Sequence, residues 1–102
     1  MRVIELDAVR WRRALDFYED LLEALGAPNW HGRNLNALYD SIVWGGINGI
    51  EPPYSVRIRN LSQAGADARQ EIDVFLAHLP EHEAEHLRLE GTPSGVRFEA
   101  EA

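Results

Sequence analysis

His82-Glu83-Ala84-Glu85-His86 is a stretch whose residue types and spacing match a catalytic metal motif. The His-Glu-x-x-His pattern sets two imidazoles on one helix face and a carboxylate beside a metal-activated water. Here no histidine follows His86, Pro80 reads as a helix stop, and His86 to Glu90 reads as a strand. The helix and the third ligand are both missing, so no metal and no cofactor are expected. His78, His82 and His86 share helical spacing and could at most grip an adventitious ion. Gly45, Gly46 and Gly49 lack the Lys-Ser/Thr that completes a phosphate loop. Ser41, Ser55, Ser62 and Ser94 have no nucleophile-elbow context. Asp16, Glu19 and Asp20 cluster on an outer helix face, where no cleft drives their pKa values apart for acid–base work. They read as a solvated face. With no cysteine there is no thiol nucleophile, and the chain reads as a non-enzyme from a reducing compartment.

Trp30 to Trp44 is different, because its chemistry is that of contact. With Asn36 at the origin of an ideal helix, Leu35, Leu38 and Ile42 fall near 260°, 200° and 240°, which is a core face. Asn36, Asp40 and Trp44 fall at about 0°, 40° and 80°, with Val43 and Tyr39 at about −20° and −60°. The outward side thus carries a carboxylate, an amide, two aromatics and an aliphatic, the composition of an interface centre. Trp30 and His31 stand in the loop just before, and Gly32 lets the chain turn into Asn34. A structural alternative is that Trp44 folds under the Gly45-Gly46 turn and Trp30 caps the core edge.

The elements that must hold this segment follow from periodicity. Arg2 to Leu6 reads as a first strand buried on both faces. Ala14, Leu15, Tyr18, Leu21, Leu22 and Leu25 recur at helical spacing, with Asp7 available as a cap and Gly26 and Pro28 as the stop. Residues 29–33 form a loop, and Asn34 caps a second helix that ends at Gly45-Gly46. After a loop, Tyr54 to Arg59 reads as the second strand. Gly65 to Leu79 is the third helix, with Ala68, Ile72, Phe75, Leu76 and Leu79 inward and Pro80 as its end. His86 to Glu90 and Val96 to Glu101 both alternate around Gly91-Thr92-Pro93-Ser94-Gly95, which predicts a hairpin. The order implies one α/β domain over residues 1–102: a small parallel sheet packed with helices, plus an antiparallel C-terminal edge strand.

Composition narrows the partners. A net charge of −7 repels polyphosphate and attracts basic proteins, although the same charge would also keep a small domain soluble. Neither direct nucleic-acid binding nor a membrane is expected. No apolar run approaches the roughly 18 residues of a membrane span, the N-terminus lacks a signal-peptide layout, and a cytoplasmic protein is expected.

Pro28-Asn29-Trp30-His31-Gly32-Arg33-Asn34-Leu35-Asn36-Ala37-Leu38-Tyr39-Asp40 resembles the signature of the barstar family. That signature reads Pro, any residue, two aromatics, Gly, Glu, Asn, Leu, Asp, Ala, Leu, Trp, Asp. A looser similarity covers nearly the whole chain, through the helix spacing and the Val74-Phe75 pair, while the tail after Glu90 has no counterpart in the short type member. The resemblance implies a barstar-like, three-stranded parallel sheet packed with helices. It also implies an inhibitor, in an antitoxin role, that occludes the active site of a basic ribonuclease. The loop and second helix would enter the enzyme's cleft, with acids where substrate phosphates bind. Asp40 matches the family's central acid, which arginine and histidine of the ribonuclease would hold. The partner-binding candidates are Trp30, His31, Asn34, Asn36, Tyr39, Asp40, Val43 and Trp44.

There are departures from the signature. Asn36 stands where the family has a second helix acid, Ala77 where it has one on the third helix, and Arg33 replaces another acid. The register slips near Val43 to Gly46. With fewer acids facing the cleft, a cognate ribonuclease-like toxin is a better expectation than barnase itself, bound by a protein that is monomeric when free. The alternative is a regulatory or scaffolding domain on the same fold whose partner is not a nuclease.

Overall fold

The computed structural model describes residues 2–102. In chain order it has β1 (Arg2–Asp7), a 3-10 turn (Ala8–Arg10), α1 (Ala14–Ala24), α2 (Leu35–Val43) and β2 (Tyr54–Arg59). A second 3-10 turn (Leu61–Gln63), α3 (Ala66–Glu90) and β3 (Val96–Ala100) complete it. The three strands form one sheet in the order β1-β2-β3, and both pairings are parallel.

Alternation along the strands decides what the sheet buries. Register sets Ile4 beside Val56 and Leu6 beside Ile58, then Tyr54 beside Val96 and Val56 beside Phe98. These residues face the helices and join the core. The alternate positions put Glu5, Arg57 and Glu99 in one row across the other face. There the Arg57 guanidinium lies 3.3 Å from Glu5, 3.8 Å from Glu99 and 3.7 Å from Glu101. Parallel sheets are usually covered on both faces; this one is covered on one. β1, expected to be buried on both faces, is instead an edge strand with Val3 and Glu5 exposed. No helix packs on its outer side to bury them.

The third helix is the main departure from the sequence reading. It runs through Pro80 to Glu90 instead of stopping at Leu79. Twenty-five residues at about 1.5 Å each give roughly 37 Å, which matches the long axis of the molecule, 38 Å. Proline removes one helical hydrogen bond, but tertiary contacts beyond it outweigh that loss. His82 stacks on Tyr39 of α2 with centroids 3.9 Å apart, and His86 lies 4.9 Å from the Trp44 ring. The helix consumes His86 to Glu90, so the predicted hairpin and antiparallel edge strand do not form. Gly91 ends the helix in the left-handed region at φ 78°, its N–H donating to the Leu87 carbonyl. The chain then returns to place β3 parallel to β2. The alternation of Leu87 and Leu89 that suggested a strand falls on exposed helix surface.

Phe75 is the aromatic hub. Its ring meets Phe17 of α1 at 5.9 Å, Tyr39 of α2 at 5.3 Å and Phe98 of β3 at 4.9 Å. The acids of α1 also differ from a purely solvated face. Asp16 accepts the backbone N–H groups of Arg12 at 2.8 Å and Arg13 at 3.0 Å, which hold its carboxyl below the usual range. Asp20 accepts the Trp11 indole N–H at 2.6 Å. Both fasten the start of α1. With Arg10, Trp11 and Glu19 they line a surface pocket of about 290 Å³ not anticipated from the sequence, and there each carboxylate is already held by these N–H donors.

Because Pro80 is exposed and sits inside α3, Pro80→Ala should raise stability by about 1–3 kcal/mol. Urea denaturation measures it, and a lower midpoint would mean that α3 needs the proline.

Candidate partner-binding site

The loop before α2 and the first turn of that helix are built by short-range hydrogen bonds. Asn34 is extended, and its Oδ1 accepts the Ala37 N–H at 2.9 Å, capping the helix. Gly32 is needed for close approach. A Cβ there would lie 2.9 Å from the Asn34 amide nitrogen and 3.2 Å from the Ala37 methyl. The His31 N–H donates to the Pro28 carbonyl at 3.0 Å, closing a turn that holds the next side chains in place.

Two partner-facing candidates stand out from this frame. Trp30 is 75% exposed, so it does not cap the core edge. Asp40 is exposed on α2, and among the described residues its carboxylate has no ion-pair partner. Both line one shallow pocket of about 150 Å³, together with His31, Gly32, Ala37 and Ile47. The walls are largely carbon, so an approaching cation would meet Asp40 beside a surface that excludes water. Asn36 is exposed one turn earlier on the same helix. Trp44 is 40% exposed, with its remaining surface against His86.

Other candidates lie inside. Tyr39 is buried between Phe75 and His82, stacked on both, and its hydroxyl donates to the Phe75 carbonyl at 3.0 Å. Burial, with the Glu71 and Glu81 charges adding to it, raises its pKa above the ordinary phenol value. Val43 is also fully covered. The outward placement of these two is therefore corrected. The helical wheel centres the core correctly but cannot show that α3 packs on the side of Tyr39 and Val43. His31 is buried as well, with Nδ1 2.7 Å from the Gly32 carbonyl and Nε2 2.8 Å from the Ser41 hydroxyl.

The structure also brings in residues that sequence reasoning did not single out for this site. Ile47 lines the pocket and Ser41 holds His31. His82 and His86 prop the inner side of α2 from the extension of α3. The helix that the sequence reading denied to these histidines exists, yet their rings are occupied: His82 stacks on Tyr39, and His86 Nδ1 lies 2.8 Å from the Thr92 carbonyl. Among the described residues, no group of three or more His, Cys, Asp or Glu is placed to hold a metal ion. Nor, among the described residues, is any helix long and apolar enough to cross a membrane.

The family model described as Barstar (barnase inhibitor) matches residues 1–99. The match runs past Glu90 and includes Val96 to Glu99 of β3. No curated protein matches the chain.

The Tyr39 hydroxyl spans from α2 to α3, and Tyr39→Phe should cost about 1 kcal/mol of unfolding free energy. Asn34→Ala should cost a similar amount, roughly 1 kcal/mol, by removing the cap. Equilibrium unfolding in urea checks both; two neutral substitutions would mean that neither bond persists in solution.

Proposed function

The chain belongs to the barstar family, and on that premise we propose that it binds a basic ribonuclease, covers its catalytic cleft and carries out no reaction itself. The observation that carries this reading is the pairing of exposed Trp30 with unpaired Asp40 across one small pocket. Asp40 would take the position of a substrate phosphate and accept hydrogen bonds from cationic side chains of the enzyme. Such charge-assisted bonds strengthen as water leaves the contact. Trp30 would supply a large, stiff, apolar contact beside that charge, the kind of residue that dominates protein interfaces.

The net charge of −7 adds a long-range component. A basic cleft would be drawn towards this surface, so association should be fast at low salt and slow as salt screens the field. Asn36 and Ala77 are both exposed where the family carries acids, which leaves Asp40 as the central charge of the surface. A surface with that reduced charge suits a cognate enzyme with fewer cationic contacts than barnase presents, in an antitoxin role within the cytoplasm. Asn34, Asn36 and Trp44 would form the rim. Tyr39, Val43 and His31 would support the contact from within.

Titration of the protein into a panel of bacterial ribonucleases is the direct test, read as stoichiometric loss of RNA cleavage. With a responding enzyme in hand, Asp40→Ala should weaken the complex by at least roughly 2 kcal/mol. Its own unfolding midpoint should barely move, since an exposed, unpaired side chain contributes little to the fold. A binding change below about 0.5 kcal/mol, the usual size for an exposed substitution, would remove Asp40 from the interface. Recovery of a non-nuclease partner would instead favour a regulatory or scaffolding role on this fold.

A further inference from the structure

We infer that the buried His31–Ser41 pair is the device that sets the spacing between Trp30 and Asp40, making both members positioning residues for the contact surface. This inference rests on the partner-binding reading above and gives that surface its internal support. Each exposed residue is directly followed in the chain by one member of the pair: Trp30 by His31, and Asp40 by Ser41. His31 is 5% exposed and Ser41 3%, so neither side chain reaches a partner. What joins them is a single hydrogen bond of 2.8 Å between His31 Nε2 and Ser41 Oγ. It spans from the loop to the last turn of α2. The loop's other ties are the His31 backbone N–H bond to Pro28 within the loop and, at its far end, the Asn34 cap on the first turn of α2. The His31–Ser41 bond is thus the one that reaches the last turn of the helix beside Asp40.

The hydrogen-bond inventory fixes Nδ1 as a donor. The Gly32 carbonyl accepts only, so His31 Nδ1 carries a proton and donates to it at 2.7 Å. In the neutral ring, Nε2 then accepts, and the Ser41 hydroxyl donates to it. The single Ser41 hydroxyl proton can also be donated to the Leu38 carbonyl at 3.2 Å, the longer of its two contacts. In this tautomer the ring nitrogens and the hydroxyl all have partners. A buried pair with complete hydrogen bonding is stiff, and removing one member leaves the other unsatisfied.

The function of such a pair is preorganisation. A loop that already holds Trp30 at the correct distance from Asp40 loses little conformational freedom when a partner closes over it. Glu19, Glu23 and Arg33 line the opposite side of His31, so the ring sits between a charged pocket and the one that contains Asp40. Neither pocket supplies another side chain bonded to the imidazole, which leaves Ser41 as its side-chain anchor.

The test is nitrogen-15 relaxation of the free, full-length protein, with long-range proton–nitrogen spectra of the imidazoles. We expect the Nδ1–H tautomer at His31 and backbone order parameters near about 0.85 for Trp30, His31 and Gly32, as in rigid structure. In Ser41→Ala those three amides should fall to about 0.6 or below while the amides of α2 stay rigid. Ser41→Cys keeps the volume with a weaker donor and should give an intermediate loss, which covers the case in which the alanine variant folds poorly. Order parameters that stay high in both variants would overturn the inference. So would a loss that spreads evenly through α2, because the pair would then be ordinary core packing, or an Nε2–H ring. The readout needs no ribonuclease, so failure of this inference and failure of the partner assignment can be told apart.

Discussion

The stacking of Tyr39 on Phe75 is the interaction on which the rest of the molecule depends. Phe75 receives α1 through Phe17, α2 through Tyr39 and the sheet through Phe98, so three elements take their position from one ring. Offset and edge-on aromatic pairs of this kind are directional, and each adds of order 0.5–1.5 kcal/mol beyond simple burial. Direction matters more than magnitude here. With Tyr39 turned inward and bonded to the Phe75 carbonyl, α2 cannot rotate about its axis, and Asp40, the next residue, is forced to the outside. The orientation of the exposed carboxylate is thus a consequence of core packing on the opposite side of the same helix.

The sheet shows the same economy. Three parallel strands with helices on one face leave the outer face to be made soluble by sequence. The row of Glu5, Arg57 and Glu99 does so with charged side chains, the one arginine lying between the two acids. Solvent-exposed pairs of this type contribute little stability. Their effect is to keep edge strands and an uncovered face from pairing with another chain. The arginine is internal to that network, whereas among the described residues Asp40 on α2 has no ion-pair partner.

Local signals were legible wherever geometry is set within a few residues. The Asn34 cap, the inward Leu38 and Ile42, the outward Asn36 and Asp40, and strand β2 are all readable from spacing alone. Tyr39, Val43 and Pro80 were not, and for a common reason. Tyr39 and Val43 occupy the border of the α2 core arc, where burial is decided by the position of α3, and α3 lies far away in sequence. Pro80 is a helix breaker by propensity, but the stretch after it is held by His82 and His86 against α2. Those histidines resembled metal ligands because the sequence shows their spacing and not their stacking partners. The same long-range contacts explain the last strand: once α3 reaches Glu90, the short Gly91–Gly95 link returns the chain to β2 in the parallel sense. Ser41 gave no signal, since a lone serine in a helix carries no pattern of its own.

An exposed carboxylate beside a fixed aromatic is an inexpensive way to build a binding surface. A charge left in water has no desolvation cost in the free protein, unlike a catalytic carboxylate that must be buried to be tuned. In the proposed complex the cost would fall on association, where Asp40 would be dehydrated and cations of the partner would compensate it. That places specificity in geometry: the compensation is complete only if cations arrive at the correct position relative to Trp30. A scaffold that holds α2 by its buried side, and bonds the loop to the last turn of that helix, would meet this requirement with ordinary core residues. The recognition surface can then change its charges, as at Asn36 and Ala77, without changing the fold beneath it. On the proposed reading, partner choice would rest on a few exposed side chains, and their precision on buried residues beneath them.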